Sequence, residues 1–459
     1  MTQRTSRRRF IFMYGSLILS RLAHGAQRLD TGSKTSDLRA RNAINVLHYG
    51  AKGDGNSDDT IAIESAARAA RLARKPLYLP RGVYAHSGLV TLNGITVFGD
   101  GDATVVLSTD QTTSRPQHAV VLTGNDVQLH FIAVKTRWSG QRQPNYEACG
   151  ILLRNAQNFR VSNVWITGSA CAGIATQMSK DGLISTCKVD RTAADGITLT
   201  NGSSGNSIRG NQVTATGDDC ISVVSYLSDA VCQGITISEN IVTNGGARGI
   251  TVAGGLDILI SHNRVIHSKN AGIQICTDVS HNTRGASNIQ AFKNTVDYCG
   301  SENPYYGAVN LAGSKAQPVS DILIKENTIT NSNNDCIQLG AGEGVFLKNI
   351  SVIGNAIKKS NNEKSGIFIA GAENVTIDSN HISEVGFAVL SNSGDGNLSI
   401  TNNAIKDANN INTKNHDAIL IVGAWKKVDI SSNIPADLRT HVQPRPTLSQ
   451  DAKINSNNN

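Results

Sequence analysis

Aliphatic residues in this chain fall in short alternating runs rather than in helical stripes. From about residue 145 onward a segment of the form Ile-x-x-Asn-x-Ile/Val recurs, its asparagine standing at Asn211, Asn240, Asn263, Asn294, Asn327, Asn355, Asn380 and Asn403, with Cys187 in the same place between Ile184 and Val189. Counted from Cys187 the separations are 24, 29, 23, 31, 33, 28, 25 and 23 residues, a floor near 23 with insertions above it. A fixed minimum with variable excess is what stacked coils with loops of different length produce. A second segment, x-Gly/Cys-Ile-x-aliphatic, sits between the asparagines, as in Cys149-Gly150-Ile151, Ala172-Gly173-Ile174, Asp195-Gly196-Ile197, Asp219-Cys220-Ile221, Arg248-Gly249-Ile250 and Asp335-Cys336-Ile337. Its period of two predicts short strands with one face inward.

The expected architecture is therefore all-β, a solenoid of about 10–12 stacked coils in which each inward Ile, Val or Leu contributes roughly 1.5–3 kcal/mol. The asparagines are expected to stack, their amides bonding along the axis at each bend. Insertions gather at residues 136–147, 225–233, 277–287, 300–307 and 312–320. Loops on a rigid stack are where recognition concentrates.

Ahead of the repeats, Tyr49-Gly50-Ala51-Lys52-Gly53-Asp54-Gly55 reads as a turn, and Asp58, Asp59 or Thr60 is placed to cap an alanine-rich helix that runs to about Arg74 and stops at Pro76. Leu77-Tyr78-Leu79-Pro80, Gly82 and Tyr84 follow as a short strand and turn. This opening resembles that of the pectate-lyase-like superfamily. The resemblance implies a right-handed parallel β-helix with a short N-terminal capping helix, which would cover backbone groups that an open coil leaves unpaired. One β-helix domain is expected over residues 44–434, with 44–90 as its N-terminal cap and 435–459 as a polar tail. Trp138 and Trp165 are expected in local cores.

Charge changes the picture little once it is located. The formal net charge is +7, but residues 1–26 hold Arg4, Arg7, Arg8, Arg9 and Arg21 and no acid, leaving about +2 for the remainder. That excess, unclustered, excludes a nucleic-acid groove. Ser6-Arg7-Arg8-Arg9-Phe10-Ile11, the apolar run from Phe10 to Leu19 and Ala23-His24-Gly25-Ala26 read as a twin-arginine signal over residues 1–26. The run is too short for a membrane anchor. Export by the twin-arginine machinery to the periplasm or beyond follows as the expected localisation, with no stable membrane anchor after signal cleavage. The eight cysteines show no zinc spacing, and Cys149, Cys187, Cys220 and Cys336, at repeat positions, are expected as buried free thiols.

The chemistry has one candidate address. Asp195, Asp219 and Arg248 each stand two places before an isoleucine of the repeat. Stacked isoleucines would stack these three as well, on coils about 4.8 Å apart. Asp218 adds a third carboxylate. Carboxylates that close cannot all ionise, so one pKa must rise, which gives the acid and base that glycosidic cleavage needs. The bland alternatives are that Asp195 and Asp219 cap bends, as Asp335 does, and that Arg248 is the ion-pair partner of Asp219.

Ala193-Ala194-Asp195-Gly196 followed by Gly217-Asp218-Asp219-Cys220-Ile221 resembles the motif pair of the polygalacturonase family of glycoside hydrolases. The resemblance implies that Asp195, Asp218 and Asp219 are the carboxylates of an inverting hydrolase acting on a polysaccharide, an acidic one in that family. The chain departs from the pattern at Ala247-Arg248-Gly249, where the family has Gly-His-Gly, and at Gln274-Ile275-Cys276, where it has a uronate-gripping Arg-Ile-Lys. Arg248 opens a second reading, β-elimination or uronate epimerisation, with Arg248 or Lys269 as base and Ca²⁺ on the three aspartates. Hydrolysis calls for no cofactor or metal. His267, Lys269 and Gln274, with Tyr305 and Tyr306 in an inserted loop, are the candidate substrate-binding residues. A third reading is a non-catalytic solenoid that binds exopolysaccharide.

Overall fold

The computed structural model describes residues 42–110, 116–138, 141–300, 306–340, 346–360, 364–408, 417–435 and 438–444. The expected signal at 1–26, Tyr305 and most of the expected tail lie outside the described residues.

The strands wind into a right-handed parallel β-helix. Ile151, Ile174, Ile197, Ile221, Ile250 and Ile273 face one another coil by coil, and all are fully buried. The sheet they belong to, here the floor sheet, runs from Val90–Asn93 to Thr440–Pro444. Its last strand pairs with Ile419–Gly423, so stacking continues past residue 434. Two further sheets close each coil. One contains Ser207–Arg209 and Thr236–Ser238, the other Gln212–Thr214 and Ile241–Thr243.

The asparagines form the expected ladder at the bend between those two sheets. Asn211 Nδ2 donates to Asn240 Oδ1 at 2.9 Å, and the pattern repeats through Asn263, Asn294, Asn327, Asn355, Asn380 and Asn403 to Asn433. Each Oδ1 also accepts the backbone N–H of the preceding rung, and each Nδ2 also reaches a strand carbonyl. One side chain thereby satisfies the backbone groups that a sharp buried bend leaves without partners. Cys187 occupies the first rung, its N–H bonded to Asn211 Oδ1.

The helix α1 (Thr60–Ala73) buries Ala62, Ile63, Ala66, Ala67 and Ala70 against Leu77, Leu79, Val90 and Leu92, plugging the first coil with one apolar stripe. Of the three expected capping residues, Asp58 holds its start. The Thr60 N–H is taken by Asp58 Oδ1 at 2.9 Å, while Asp59 turns back to accept the N–H groups of Lys52 and Gly53 at 2.7 and 3.1 Å. Gly53 has φ +61°, and a Cβ there would stand 3.1 Å from the Tyr84 ring, so the turn requires glycine.

All eight cysteines are free and buried. Trp165 corrects an expectation: it is 39% exposed, with Lys135 Nζ 5.5 Å from its ring centroid, because its position on the strand faces outward. Among the described residues no helix is long and apolar enough to cross a membrane.

Candidate active site

Two successive bends lead into the floor sheet and fold alike. Thr192 Oγ1 donates to the Ala194 carbonyl and Thr216 Oγ1 to the Asp218 carbonyl, at 2.8 and 2.9 Å. Coils stack tightly here: a Cβ on Gly196 would lie 2.6 Å from the Cys220 carbonyl oxygen. The strands that follow keep Ile197, Ile221 and Ile250 in register, so Asp195, Asp219 and Arg248 form the expected column.

Within the column the capping role and the chemistry coexist. Asp195 Oδ1 accepts the Asp219 N–H at 3.2 Å, and Asp219 Oδ1 accepts the Arg248 N–H at 3.0 Å. Asp335 does the same for Ser365 at 2.6 Å, and among the described residues it belongs to no cluster of three acids. What sets the upper column apart is the rest of the cluster. One oxygen from each of Asp195, Asp218 and Asp219 lies within 4.8 Å of the others. Asp195 Oδ2 lies 2.8 Å from Ser222 Oγ, itself 2.7 Å from Thr198 Oγ1.

Two guanidinium groups flank the carboxylates. Arg248 Nε donates to Asp219 Oδ1 at 2.7 Å, and its Nη2 is 3.8 Å from Asp218 Oδ1. Arg142 reaches in from the 136–147 insertion to place Nη1 2.5 Å from Asp218 Oδ2. Sequence reasoning marked that loop as a place for recognition but not this residue, which stands outside any repeat.

Burial, then the neighbouring charges of Asp219 and Asp218, push the Asp195 carboxyl up to about 7. Burial also raises Asp219, against the downward pull of the Arg248 guanidinium. Burial disfavours the charge on Arg248, but the Asp219 carboxylate more than offsets this and holds the guanidinium above its ordinary range. Arg248 is therefore protonated and ion-paired, the opposite of what a proton-abstracting base requires. The three carboxylates have the spacing of a divalent-cation site, yet guanidinium donors already occupy Asp218 and Asp219.

The other sequence candidates are spread more widely. The His267 ring packs at 5.1 Å against Tyr298, and exposed Lys269 anchors its turn through an N–H bond to the Gly245 carbonyl. Tyr306 is half-buried just before the floor strand Val309–Ala312. Gln274 lies on the outer face of the floor sheet, in register with Thr251 and Asn310.

That outer face changes character along the axis. Leu152 and Ala175 are followed by Thr198, Ser222, Thr251, Gln274, Asn310 and Gln338, and then by Phe368 and Leu390. Over the N-terminal coils an outer apolar cluster of Val121, Cys149, Leu152, Cys171 and Ala175 is packed beneath Leu89, Trp138 and Tyr146. Tyr146 also hydrogen-bonds Tyr226, joining the 136–147 loop to the 225–233 loop on the far side of the sheet. Arg284 fastens that second loop by donating to the carbonyls of Tyr226, Leu227 and Asp229.

Comparison with known proteins places this geometry. The model of the rhamnogalacturonase A/epimerase, pectate-lyase-like family matches residues 43–283. Polygalacturonase-2 of Solanum lycopersicum is 23% identical over 380 residues, covering 74% of this chain and 81% of that protein. Among solved structures, the catalytic unit of an α-1,3-glucanase from Streptomyces thermodiastaticus superposes with TM-score 0.61 at 20% identity, over 87% of this chain and 68% of that one. The A-module of the Azotobacter vinelandii mannuronan C-5 epimerase does so with TM-score 0.60 at 17% identity, over 75% of this chain and 97% of the module.

Proposed function

The chain belongs to the rhamnogalacturonase A/epimerase, pectate-lyase-like family, and on that premise we propose that it is an exported carbohydrate-active enzyme that hydrolyses glycosidic bonds of a polysaccharide. The observation that carries this reading is the cluster itself, three carboxylates within 4.8 Å of one another of which one is held near pH 7. Asp195, its carboxyl raised to about 7, still carries a proton in a large share of molecules near neutral pH and delivers it to the glycosidic oxygen as the bond to the anomeric carbon breaks. Water adds to that carbon and loses its proton to Asp218, which Arg142 orients, while Asp219, fixed by Arg248, supplies negative charge beside the oxocarbenium-like transition state. Inversion is carried over from the polygalacturonase resemblance. The oxygens here stand closer than the roughly 6.5–9.5 Å usual for inverting pairs, so the anomer released first, read by proton NMR, is the measurement that decides it.

The polygalacturonase relative and the glucanase neighbour support hydrolysis, and the epimerase neighbour marks the competing chemistry. The ion pair of Arg248 favours hydrolysis over proton abstraction by that residue. Screening acidic and neutral polysaccharides separates the readings: new reducing ends without ultraviolet absorbance support hydrolysis, and an absorbing unsaturated product refutes it. Export is tested by fusing residues 1–26 to a reporter, whose translocation should fail when Arg7 and Arg8 are both changed to Lys.

A further inference from the structure

We propose that Cys149 and Cys171 are a redox-active pair, a modification site at which a small hydroperoxide closes a disulfide between two neighbouring coils. The inference goes beyond the hydrolase reading and stands whether or not the carboxylate cluster cleaves glycans.

The bend before the floor sheet sets the two residues opposite each other. The Cys171 N–H donates to the Ala148 carbonyl and the Gly150 N–H to the Ala172 carbonyl, each at 3.1 Å. Those bonds flank Cys149 and hold it across from Cys171 at one coil spacing, about 4.8 Å, inside the roughly 4.4–6.8 Å between Cα atoms that a disulfide spans. Both side chains enter the apolar cluster beneath Leu89, Trp138 and Tyr146, where the two thiols share a hydrogen bond. Cys187, Cys220, Cys232 and Cys299 are placed differently, each with its sulfur against backbone carbonyls.

Reactivity falls on Cys171. It is 6% exposed, more than any of the other seven cysteines, and is therefore the first thiol within reach of a molecule as small as a hydroperoxide. The hydrogen bond from Cys149 holds its thiol below the ordinary cysteine range against the effect of burial, and the Arg142 guanidinium adds to the lowering. Burial raises the other seven thiols, with Cys187, Cys220 and Cys276 pushed up to about 12. A buried thiol is inert because it stays protonated, and Cys171 is the one that departs from that condition.

The peroxide is the sole co-reactant. The Cys171 sulfur attacks one peroxide oxygen, the O–O bond breaks, and the thiol proton leaves with the other oxygen as water, giving a sulfenic acid. The Cys149 sulfur then displaces the sulfenic hydroxyl, which departs with the Cys149 proton as a second water, and the S–S bond forms. The two thiols lose one electron pair in all, and it reduces the peroxide. The Cys149 N–H is bonded to the Tyr146 carbonyl at 3.1 Å, so the bridge also fixes the root of the 136–147 insertion.

The test uses the full chain, purified with reductant, freed of it and treated with hydrogen peroxide. Thiols titrated after denaturation should fall by two from the eight of the reduced chain. Peptide mass spectrometry should find one cross-link, Cys149 to Cys171, that dithiothreitol reverses. The oxidised chain should melt a few degrees above the reduced one, because the bridge restricts the 149–171 loop of the unfolded chain. In Cys149→Ala the reaction stops at the sulfenic acid, so dimedone should capture Cys171. In Cys171→Ala thiol loss should slow at least tenfold. Eight surviving thiols, a cross-link between any other pair, or equally fast loss in Cys171→Ala overturns the proposal. Oxidation of Cys171 to a sulfinic acid without a cross-link overturns it too. The peptide map of the unsubstituted chain is decisive even where a variant does not fold.

Discussion

Arg142 and Asp218 are 76 residues apart in the chain, yet Nη1 of one stands 2.5 Å from Oδ2 of the other. The contact ties an exposed insertion to the cluster that the β-helix builds, and it leaves Asp195 with one more cation nearby. Arg142 is half in solvent, with a side chain 54% exposed, so its loss should cost the fold little. Arg142→Gln is expected to lower kcat roughly 10–100-fold through misorientation of Asp218, with an unchanged melting temperature. Steady-state kinetics beside a thermal melt check both halves.

The pH profile follows from Asp195. As general acid it must carry a proton, and its carboxyl is raised to about 7, so kcat/KM should fall as pH rises through about 7. The Ser222 hydroxyl bonds the ionised form and lowers this value. Ser222→Ala should therefore move the alkaline limb upward, and Arg142→Gln should move it the same way by removing a stabilising positive charge. A downward shift in either protein would remove Asp195 from the acid role.

The same shift predicts a stability effect with a definite sign. In the unfolded chain Asp195 titrates near 4, and in the fold near 7. A raised carboxyl adds stability below the unfolded value and loses it as pH rises through the folded one. Asp195→Asn keeps an acceptor for the Asp219 N–H and never ionises. It should match the unsubstituted protein near pH 4 and exceed it in melting temperature at pH 8.

Much of this was legible in the chain because the ladder leaves a mark. Each asparagine in turn bonds the next, so its spacing reports the coil directly, and the Asp195, Asp219 and Arg248 column follows from three isoleucines in register. The coils before Cys187 escaped that count for a physical reason. There the strands Thr96–Ser108, Gln128–Thr136 and Arg160–Ser169 run through the corner without a break, and no asparagine amide is needed to satisfy it. Arg142, Tyr146 and Tyr226 were hidden differently. They sit in insertions of irregular length, whose contacts across the sheet depend on where each loop folds back.

Within the ladder, Asn294 takes part in bonds on both sides: its oxygen receives Asn263 Nδ2 and the Asn263 N–H, and its Nδ2 reaches Asn327 and the Ile260 carbonyl. Asn294→Ala strands several buried groups and is expected to cost about 2–4 kcal/mol. Asn433, the terminal rung, has no described rung beyond it and should cost about 1 kcal/mol. Denaturant midpoints for the two proteins give the comparison, and equal losses would mean that the ladder does not stabilise by stacking.

The apolar packing on the N-terminal side of the carboxylates predicts how the proposed hydrolase cuts. Leu152 and Ala175 lie under Tyr146, and Tyr146 meets Tyr226 above the sheet, so no polar floor continues past Asp195 in that direction. Toward the C-terminal coils the polar face runs on to Gln338. With that side closed, a glycan seated across the carboxylates extends past them on one side at most, and the bond presented to Asp195 lies near a chain end. Hydrolysis should release one short product from the first minutes, with reducing ends accumulating well before viscosity falls. Tyr146→Ala removes both the roof over the apolar cluster and the bond to Tyr226, and should shift the products toward longer fragments. A wild-type enzyme that cuts viscosity before short sugars appear would show that the groove is open through the tyrosine bridge, and that the 136–147 loop does not bound the substrate.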